Sequence, residues 1–118
     1  ALPIWLMVVI KTSNEIAAGT DDYVYFGIER KDGTVQEWTL DNPGNDFEAN
    51  QEDTYILKIK KPSIKFSDIN RMWIRKANFT PVSDDWKPKK VKVIADGSVQ
   101  YEKQIDKWIH GNEKYLIK

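Results

Sequence analysis

Short runs of β-branched and aromatic residues, separated by turn-forming residues, occupy nearly the whole chain. Such runs are typical of β-strands, and no stretch keeps the periodicity of an amphipathic helix, although 67–70 could form a single turn. Strands are predicted at 4–11, 23–30, 35–40, 54–60, 71–76, 89–95 and 98–104, with one more from 107–109 and 115–118. This pattern over 118 residues predicts one all-β domain, an antiparallel β-sandwich.

Two Asp-Gly pairs, Asp32-Gly33 and Asp96-Gly97, each stand between two of the predicted strands. Asp-Gly between β-prone runs favours a tight hairpin turn, because glycine readily adopts positive φ. The first apolar run, 4–11, is too short to cross a bilayer, which takes about 20 residues. It is therefore predicted to be a strand buried on both faces.

The residue types present limit the class of function. His110 is the single histidine and cysteine is absent, so a zinc site or a nucleophile–histidine pair has too few members. No phosphate-binding glycine loop and no nucleophile-elbow motif is present. The sequence predicts that the chain is not an enzyme, and His110 is interpreted as structural.

The formal net charge is zero, which argues against nucleic acid as the main partner. The charge is unevenly distributed, however. Residues 1–57 carry three basic and eleven acidic side chains, whereas residues 58–118 carry fifteen basic and seven acidic ones. Either folding mixes the two halves, or acidic loops bind a cation while basic strands face an anionic surface.

Three loops between predicted strands are rich in acidic residues. The densest is Asp41-Asn-Pro-Gly-Asn-Asp46, and the others are Ala18-Gly-Thr-Asp-Asp22 and Ser83-Asp-Asp85. A sandwich brings alternate loops to one end, where the carboxylates would repel one another without a cation. Oxygen donors without histidine or cysteine favour Ca²⁺. The alternative is that 41–46 is an ordinary surface turn, which Asp and Asn form readily.

The loop at 77–88 adds apolar side chains to this acidic environment, namely Phe79, Val82 and Trp86. Apolar residues on a loop either fold back over the core or enter the interfacial layer of a membrane. Both interpretations remain open from the sequence.

These segments resemble the PLAT family, named for polycystin, lipoxygenase and alpha-toxin. The resemblance rests on the motifs Ala18-Gly-Thr-Asp-Asp-Tyr23, Leu40-Asp-Asn-Pro-Gly-Asn-Asp-Phe47, Asp53-Thr-Tyr55 and Met72-Trp-Ile-Arg-Lys76. It covers 9–118, whereas 1–8 match poorly and are interpreted as a strand start or linker. The resemblance implies an eight-stranded antiparallel sandwich that binds phospholipid through calcium. It is closest to the toxin members, in which a separate N-terminal domain carries the catalytic zinc.

Site residues follow from this resemblance by position. Calcium ligands are implied at Gly19, Thr20, Asp21, Asp41, Asn42, Gly44, Asn45, Asp46, Asp84 and Asp85. Membrane-facing residues are implied at Tyr23, Tyr55, Phe79 and Val82, to which the loop composition adds Trp86. Ala17 stands where the family has an aspartate, Asp85 replaces an alanine and Val82 replaces an aromatic residue. Calcium and membrane binding are expected to persist in weaker or altered form.

The predicted function is therefore calcium-dependent membrane binding, as the C-terminal targeting domain of a secreted phospholipase of the alpha-toxin type. The expected partners are a phospholipid surface and the N-terminal catalytic domain of a parent protein, and the expected state is a monomer. A carbohydrate-binding or protein-interaction sandwich is the alternative. A flat, solvent-facing row of tryptophans would favour glycan, and degenerate calcium loops would favour a protein partner.

Overall fold

The computed structural model describes residues 5–41, 46–59, 65–79, 84–95 and 97–118. Within these ranges the chain forms eight strands: β1 (Trp5–Thr12), β2 (Tyr23–Arg30), β3 (Val35–Thr39), β4 (Glu52–Lys58), β5 (Ile69–Ala77), β6 (Pro88–Ala95), β7 (Ser98–Gln104) and β8 (Lys114–Leu116). A single turn of 3-10 helix, Phe66–Asp68, precedes β5. In the described ranges no helix is long and apolar enough to cross a membrane.

The strands form two four-stranded sheets, in the orders β4-β1-β6-β7 and β3-β2-β5-β8. Every pairing is antiparallel. The predicted eight-stranded antiparallel β-sandwich is thereby confirmed.

The core lies between the two sheets and follows from the alternation of side chains along each strand. β4 alternates strictly, with Asp53, Tyr55 and Leu57 buried and their neighbours exposed. β1 and β2 lie inside their sheets, and each buries three consecutive residues, as predicted for the first apolar run. The large buried side chains at the centre include Phe26, Ile74 and Trp86.

The predicted limits of β2 and β7 agree with the structure, but the prediction for the last strand was partly wrong. Residues 107–109 do not form a strand, and Ile109 makes only an isolated bridge with Trp86. The interruption has a backbone cause, because Asp106 and Gly111 both adopt positive φ, at 48° and 52°. Strand pairing resumes only at β8.

The connections between strands separate into two groups at opposite ends of the sandwich. The β1–β2, β3–β4, β5–β6 and β7–β8 connections lie at one end, here called the loop end, because each follows from the antiparallel pairing. The β2–β3 hairpin at Gly33 lies at the other end. All three acidic loops therefore belong to the loop end, as the sandwich geometry predicted.

Candidate site at the loop end

A cleft of about 260 Å³ opens at the loop end, and it is lined by four carboxylates. We call it the acidic cleft and define it by Asp21, Asp22, Asp41 and Asp46. Thr20, Tyr23 and Phe79 also line it. The first two acidic loops thus meet across one cavity, although Asp21 and Asp46 are distant in sequence.

The β1–β2 loop is fixed against its neighbours by close backbone contacts. Thr20 N–H donates to the Phe47 carbonyl (3.0 Å), and a β-carbon on Gly19 would stand 2.7 Å from the same oxygen. This approach explains why glycine occupies position 19. The Thr20 hydroxyl donates to the Asp84 carbonyl (2.6 Å), and Asp21 N–H donates to Asp84 Oδ2 (2.7 Å). The β1–β2 and β5–β6 loops are therefore tied together.

A buried ion pair lies beneath the acidic cleft. Lys76 Nζ donates to Asp22 Oδ2 at 2.6 Å, and both side chains are almost fully buried. Asp22 also accepts hydrogen bonds from the backbone N–H groups of Phe79 (2.9 Å) and Asp84 (3.0 Å). Burial alone would raise the pKa of Asp22, but the hydrogen bonds from Lys76 and the two N–H groups hold it below its ordinary value.

Asp22 therefore organises the loop end, and the sequence analysis did not identify it as a site residue. It stands in an acidic loop motif, but its partner Lys76 lies 54 residues away. A lysine near the end of a predicted strand gives no local sign that it is buried.

Carboxylates also converge beside the core at Tyr55. Burial raises the pKa of Tyr55, and the carboxylates of Asp53, Asp46 and Asp41 raise it further. Asp53 is itself buried and accepts a hydrogen bond from Phe47 N–H (2.9 Å). Neighbouring negative charges of this kind repel one another, and a cation near Asp41 and Asp46 would relieve the repulsion.

The predicted membrane-facing residues divide between surface and core. Tyr23 and Phe79 are 45% and 60% exposed, and their rings make an edge-on contact at 5.5 Å. The predictions for Tyr55 and Trp86 require correction, since these side chains are only 3% and 0% exposed.

Tyr55 and Trp86 are buried because each has a partner in the core. Both rings pack on Phe47, at centroid distances of 5.7 and 5.0 Å. The Trp86 indole N–H also donates to the Thr12 hydroxyl at 3.0 Å. An indole with its polar group satisfied inside the protein has no surface to offer a membrane.

One exposed apolar side chain at the loop end was missed by the sequence analysis. Ile16, in the β1–β2 loop, is 96% exposed. Asn14 and Glu15 before it are polar, so Ile16 fits no strand or core pattern. A large apolar residue outside every predicted strand was the sign in the sequence by which it could have been found.

A second cleft, of about 360 Å³, lies beside the acidic cleft. We call it the Trp108 cleft and define it by Ala17, Asp84, Asp85, Trp108 and His110. Asp85 Oδ2 lies 2.8 Å from His110 Nδ1. Asp84 connects the two clefts, because its carboxylate accepts the hydrogen bond from Asp21.

The remaining predicted residues, Asn42, Gly44, Asn45 and Val82, lie outside the described residues. Within the described ranges, no three His, Cys, Asp or Glu side chains are close enough together to hold a metal ion by themselves. A calcium site in the acidic cleft would therefore need further oxygen donors, which backbone carbonyls or the 42–45 segment could supply.

Residues 6–118 match the PLAT/LH2 domain family. A phospholipase C of Clostridium novyi is 95% identical over 112 residues, which cover 95% of this chain and 28% of that protein. The crystal structure of Clostridium perfringens alpha-toxin from avian strain SWCP superposes with a TM-score of 0.97. It is 52% identical, and the match covers 100% of this chain and 32% of the toxin.

A more distant likeness shows the fold alone. The coral 8R-lipoxygenase structure has a TM-score of 0.71 and 21% identity, over 95% of this chain and 16% of that one.

The chain spans 28% of the length of the phospholipase C relative and corresponds to its C-terminal region. The predicted domain limit between residues 8 and 9 stays a prediction. Strand β1 begins at Trp5 and runs across this limit.

Proposed function

This chain belongs to the PLAT/LH2 domain family, and from that premise we propose that it binds phospholipid membranes in a calcium-dependent way. The observation that carries the proposal is the exposed pair Tyr23 and Phe79 beside a cleft lined by four carboxylates. Aromatic side chains suit the interfacial layer of a membrane, and carboxylates suit a cation that neutralises the approach to lipid phosphates.

The donor chemistry of the acidic cleft fits calcium. Its polar side chains offer only oxygen, which is the ligand atom Ca²⁺ prefers. They are the four aspartates, Thr20, Thr39 and Tyr23. Asp22 is already neutralised by Lys76, so Asp21, Asp41 and Asp46 are the carboxylates available to the ion. Together with them the ion would need further oxygen donors, such as backbone carbonyls. The coral lipoxygenase is described as activated by calcium through a C2-like domain, which supports calcium for this fold.

The apolar contact would come from three loop-end side chains, Ile16, Tyr23 and Phe79. All three are exposed although they are large and apolar or aromatic. Burying ~100 Å² of one such side chain gives roughly 2–3 kcal/mol. Insertion of these side chains would add to the attraction between calcium and the lipid phosphates.

The parent protein would be a secreted phospholipase C whose N-terminal catalytic domain is held at its substrate by this domain. Tethering raises the local concentration of lipid around the catalytic site without any new contact. Extracellular calcium modules work with dissociation constants of ~10⁻⁴–10⁻³ M, which suits an extracellular setting. The domain would act as a monomer.

The arrangement of the tryptophans does not favour the glycan-binding alternative. Trp86 is in the core, and the ring of Trp73 is covered by the Lys114 ammonium at 4.0 Å. Trp38 packs on the core and donates to the Lys58 carbonyl. Only Trp5 is among the strongly exposed large apolar side chains. The described tryptophans therefore form no flat, solvent-facing row of the kind that stacks on sugars.

Co-sedimentation with phosphatidylcholine vesicles, with and without millimolar calcium, tests the proposal. We expect binding with calcium and its loss with a chelator. The double variant Asp41→Asn/Asp46→Asn should abolish the calcium-dependent fraction, because it removes two carboxylates of the acidic cleft.

The matched control is Asp32→Asn/Glu102→Gln, which removes the same charge in the β2–β3 hairpin and on β7, away from the acidic cleft. It should bind like the unaltered chain. Binding that ignores calcium, or that survives in the Asp41/Asp46 variant, would refute the calcium-dependent mechanism. No binding in either condition would refute the membrane function and favour a protein partner.

A further inference from the structure

The Trp108 cleft differs chemically from the acidic cleft. It combines one aromatic wall, Trp108, with two carboxylates, Asp84 and Asp85, around about 360 Å³. Trp108 is half-buried, so the protein holds its position while part of its ring stays accessible. An aromatic face next to negative charge is the combination that binds organic cations.

This cleft is poorly suited to calcium, although the family resemblance assigns Asp84 and Asp85 to that ion. Calcium requires about 6–8 oxygen ligands. Ala17 contributes a methyl group to this wall where the family has a carboxylate. One oxygen of Asp84 is taken by Asp21 N–H, and one oxygen of Asp85 lies 2.8 Å from the His110 ring nitrogen.

A quaternary ammonium group has different requirements. It has no N–H, so it needs no hydrogen-bond acceptors, and it is attracted by negative charge and by the face of an aromatic ring. Carboxylates already engaged in hydrogen bonds still supply that charge. A cation already lies near the Trp108 ring, since Lys87 Nζ is 5.9 Å from its centroid. Lys87 does not line the cleft, and its ammonium is paired with Glu15.

We propose that the Trp108 cleft binds the trimethylammonium group of a choline headgroup, in place of the calcium ion implied there by the family. The proposal rests on the proposed membrane-binding function and adds to it a preference among lipids. The two clefts are adjacent, because Asp84 of the Trp108 cleft accepts a hydrogen bond from Asp21 of the acidic cleft. A choline headgroup carries phosphate and trimethylammonium on one short linker. Its phosphate would approach calcium in the acidic cleft while its cation enters the Trp108 cleft.

The first test uses soluble headgroups and no membrane. Phosphocholine and phosphoethanolamine are titrated separately against the chain, in millimolar calcium, while the Trp108 indole N–H is followed by NMR. We expect phosphocholine to shift this signal and to bind about two- to fivefold more tightly, a difference no larger than one cation–π contact at an exposed site. Both headgroups carry a cation, but the ammonium of phosphoethanolamine has three N–H donors that lose water on entering the cleft, whereas trimethylammonium has none. The phosphocholine titration is repeated without calcium. Equal binding of the two headgroups, or a phosphocholine shift that is present without calcium and absent with it, would overturn the proposal.

The second test compares vesicles of phosphatidylcholine and phosphatidylethanolamine, each mixed with the same fraction of anionic lipid. Trp108→Leu should lose the preference for phosphatidylcholine while its binding stays calcium-dependent. Trp108→Phe, which keeps a ring and protects the fold, should keep a reduced preference. The control Trp5→Leu, which removes an exposed tryptophan from the start of β1, should keep the full preference.

The two proposals fail in different ways. Calcium-dependent binding with no headgroup preference, or a preference that survives in Trp108→Leu, sinks only the choline site. A selective phosphocholine shift in a chain that ignores all vesicles would support the choline site and sink the membrane function.

Discussion

Asp22 and Lys76 carry opposite charges in a place with almost no contact with water. Two buried charges are tolerated because each satisfies the other and because two backbone N–H groups complete the shell of Asp22. These N–H groups belong to Phe79, which is in the proposed membrane contact, and to Asp84, which lies between the two clefts. A single carboxylate thus sets the position of both.

Lys76→Met should destabilise the fold by about 3–5 kcal/mol, because Asp22 is left buried without its partner. Asp22→Asn/Lys76→Met should cost less than the sum of the single variants. Urea unfolding measures all three free energies. Arg75→Met serves as the control, since it breaks the more exposed pair with Glu37 and should cost about 1 kcal/mol or less. Additive losses would show that the pair is not coupled.

The same pair gives stability a pH dependence. The folded state lowers the pKa of Asp22, so it binds this proton less tightly than the unfolded chain does. The contribution is therefore complete above the ordinary aspartate pKa of about 3.9 and is lost as the pH falls below it. This acid-sensitive part should be absent from Asp22→Asn, and a pH profile that does not change would contradict the assignment.

At the scale of elements, the β5–β6 connection carries two aromatic residues with opposite roles. Trp86 packs on Phe47 and is fully buried, whereas Phe79 is 60% exposed. Trp86→Ala should cost about 3–5 kcal/mol of unfolding free energy, because it leaves a large cavity. Phe79→Ala should stay within about 0.5 kcal/mol.

In vesicle binding the order of the two variants should be reversed, with Phe79→Ala the more damaging one. Phe79→Ala should weaken calcium-dependent binding by about 30- to 150-fold, which corresponds to losing the roughly 2–3 kcal/mol gained when one such side chain inserts. Folded Trp86→Ala, assayed well below its unfolding temperature, should bind normally. A strong binding defect in folded Trp86→Ala would restore its original assignment to the membrane surface.

The strands were predictable because their signals are local. Alternation and Asp-Gly turns specified β2 and β7 to the residue, and β3 and β6 to within one residue. The burial of Trp86 was not predictable in this way, since its partners Thr12 and Phe47 lie 74 and 39 positions away. The Asp22–Lys76 pair escaped for the same reason. Sequence patterns located the acidic loops, but which side chains face water depends on long-range packing.

For the whole molecule, calcium should act as a stabiliser without being needed for folding. The two sheets enclose a continuous apolar core that does not depend on an ion. At a calcium concentration about ten times the dissociation constant, linkage gives about 1.4 kcal/mol. For a domain of this size the melting temperature should rise on the order of 5 °C.

Thermal unfolding with calcium and with chelator measures this shift. Asp41→Asn/Asp46→Asn should show almost none of it, while Asp32→Asn/Glu102→Gln should show all of it. A chain that unfolds at room temperature in chelator would mean that the core alone is insufficient.

The ties at the loop end have a consequence in time. Asp22 meets Lys76 across 54 positions, Asp21 meets Asp84 across 63, and the Asp85–His110 contact adds the β7–β8 connection. Contacts between such distant positions form only after the intervening strands have paired. A newly made or partly unfolded chain therefore has carboxylates and aromatic side chains but no assembled cleft. Attachment to lipid would then begin only when the last strands have paired and the loop end is assembled. Molecules that have not finished folding would therefore not adhere to the membranes that they meet.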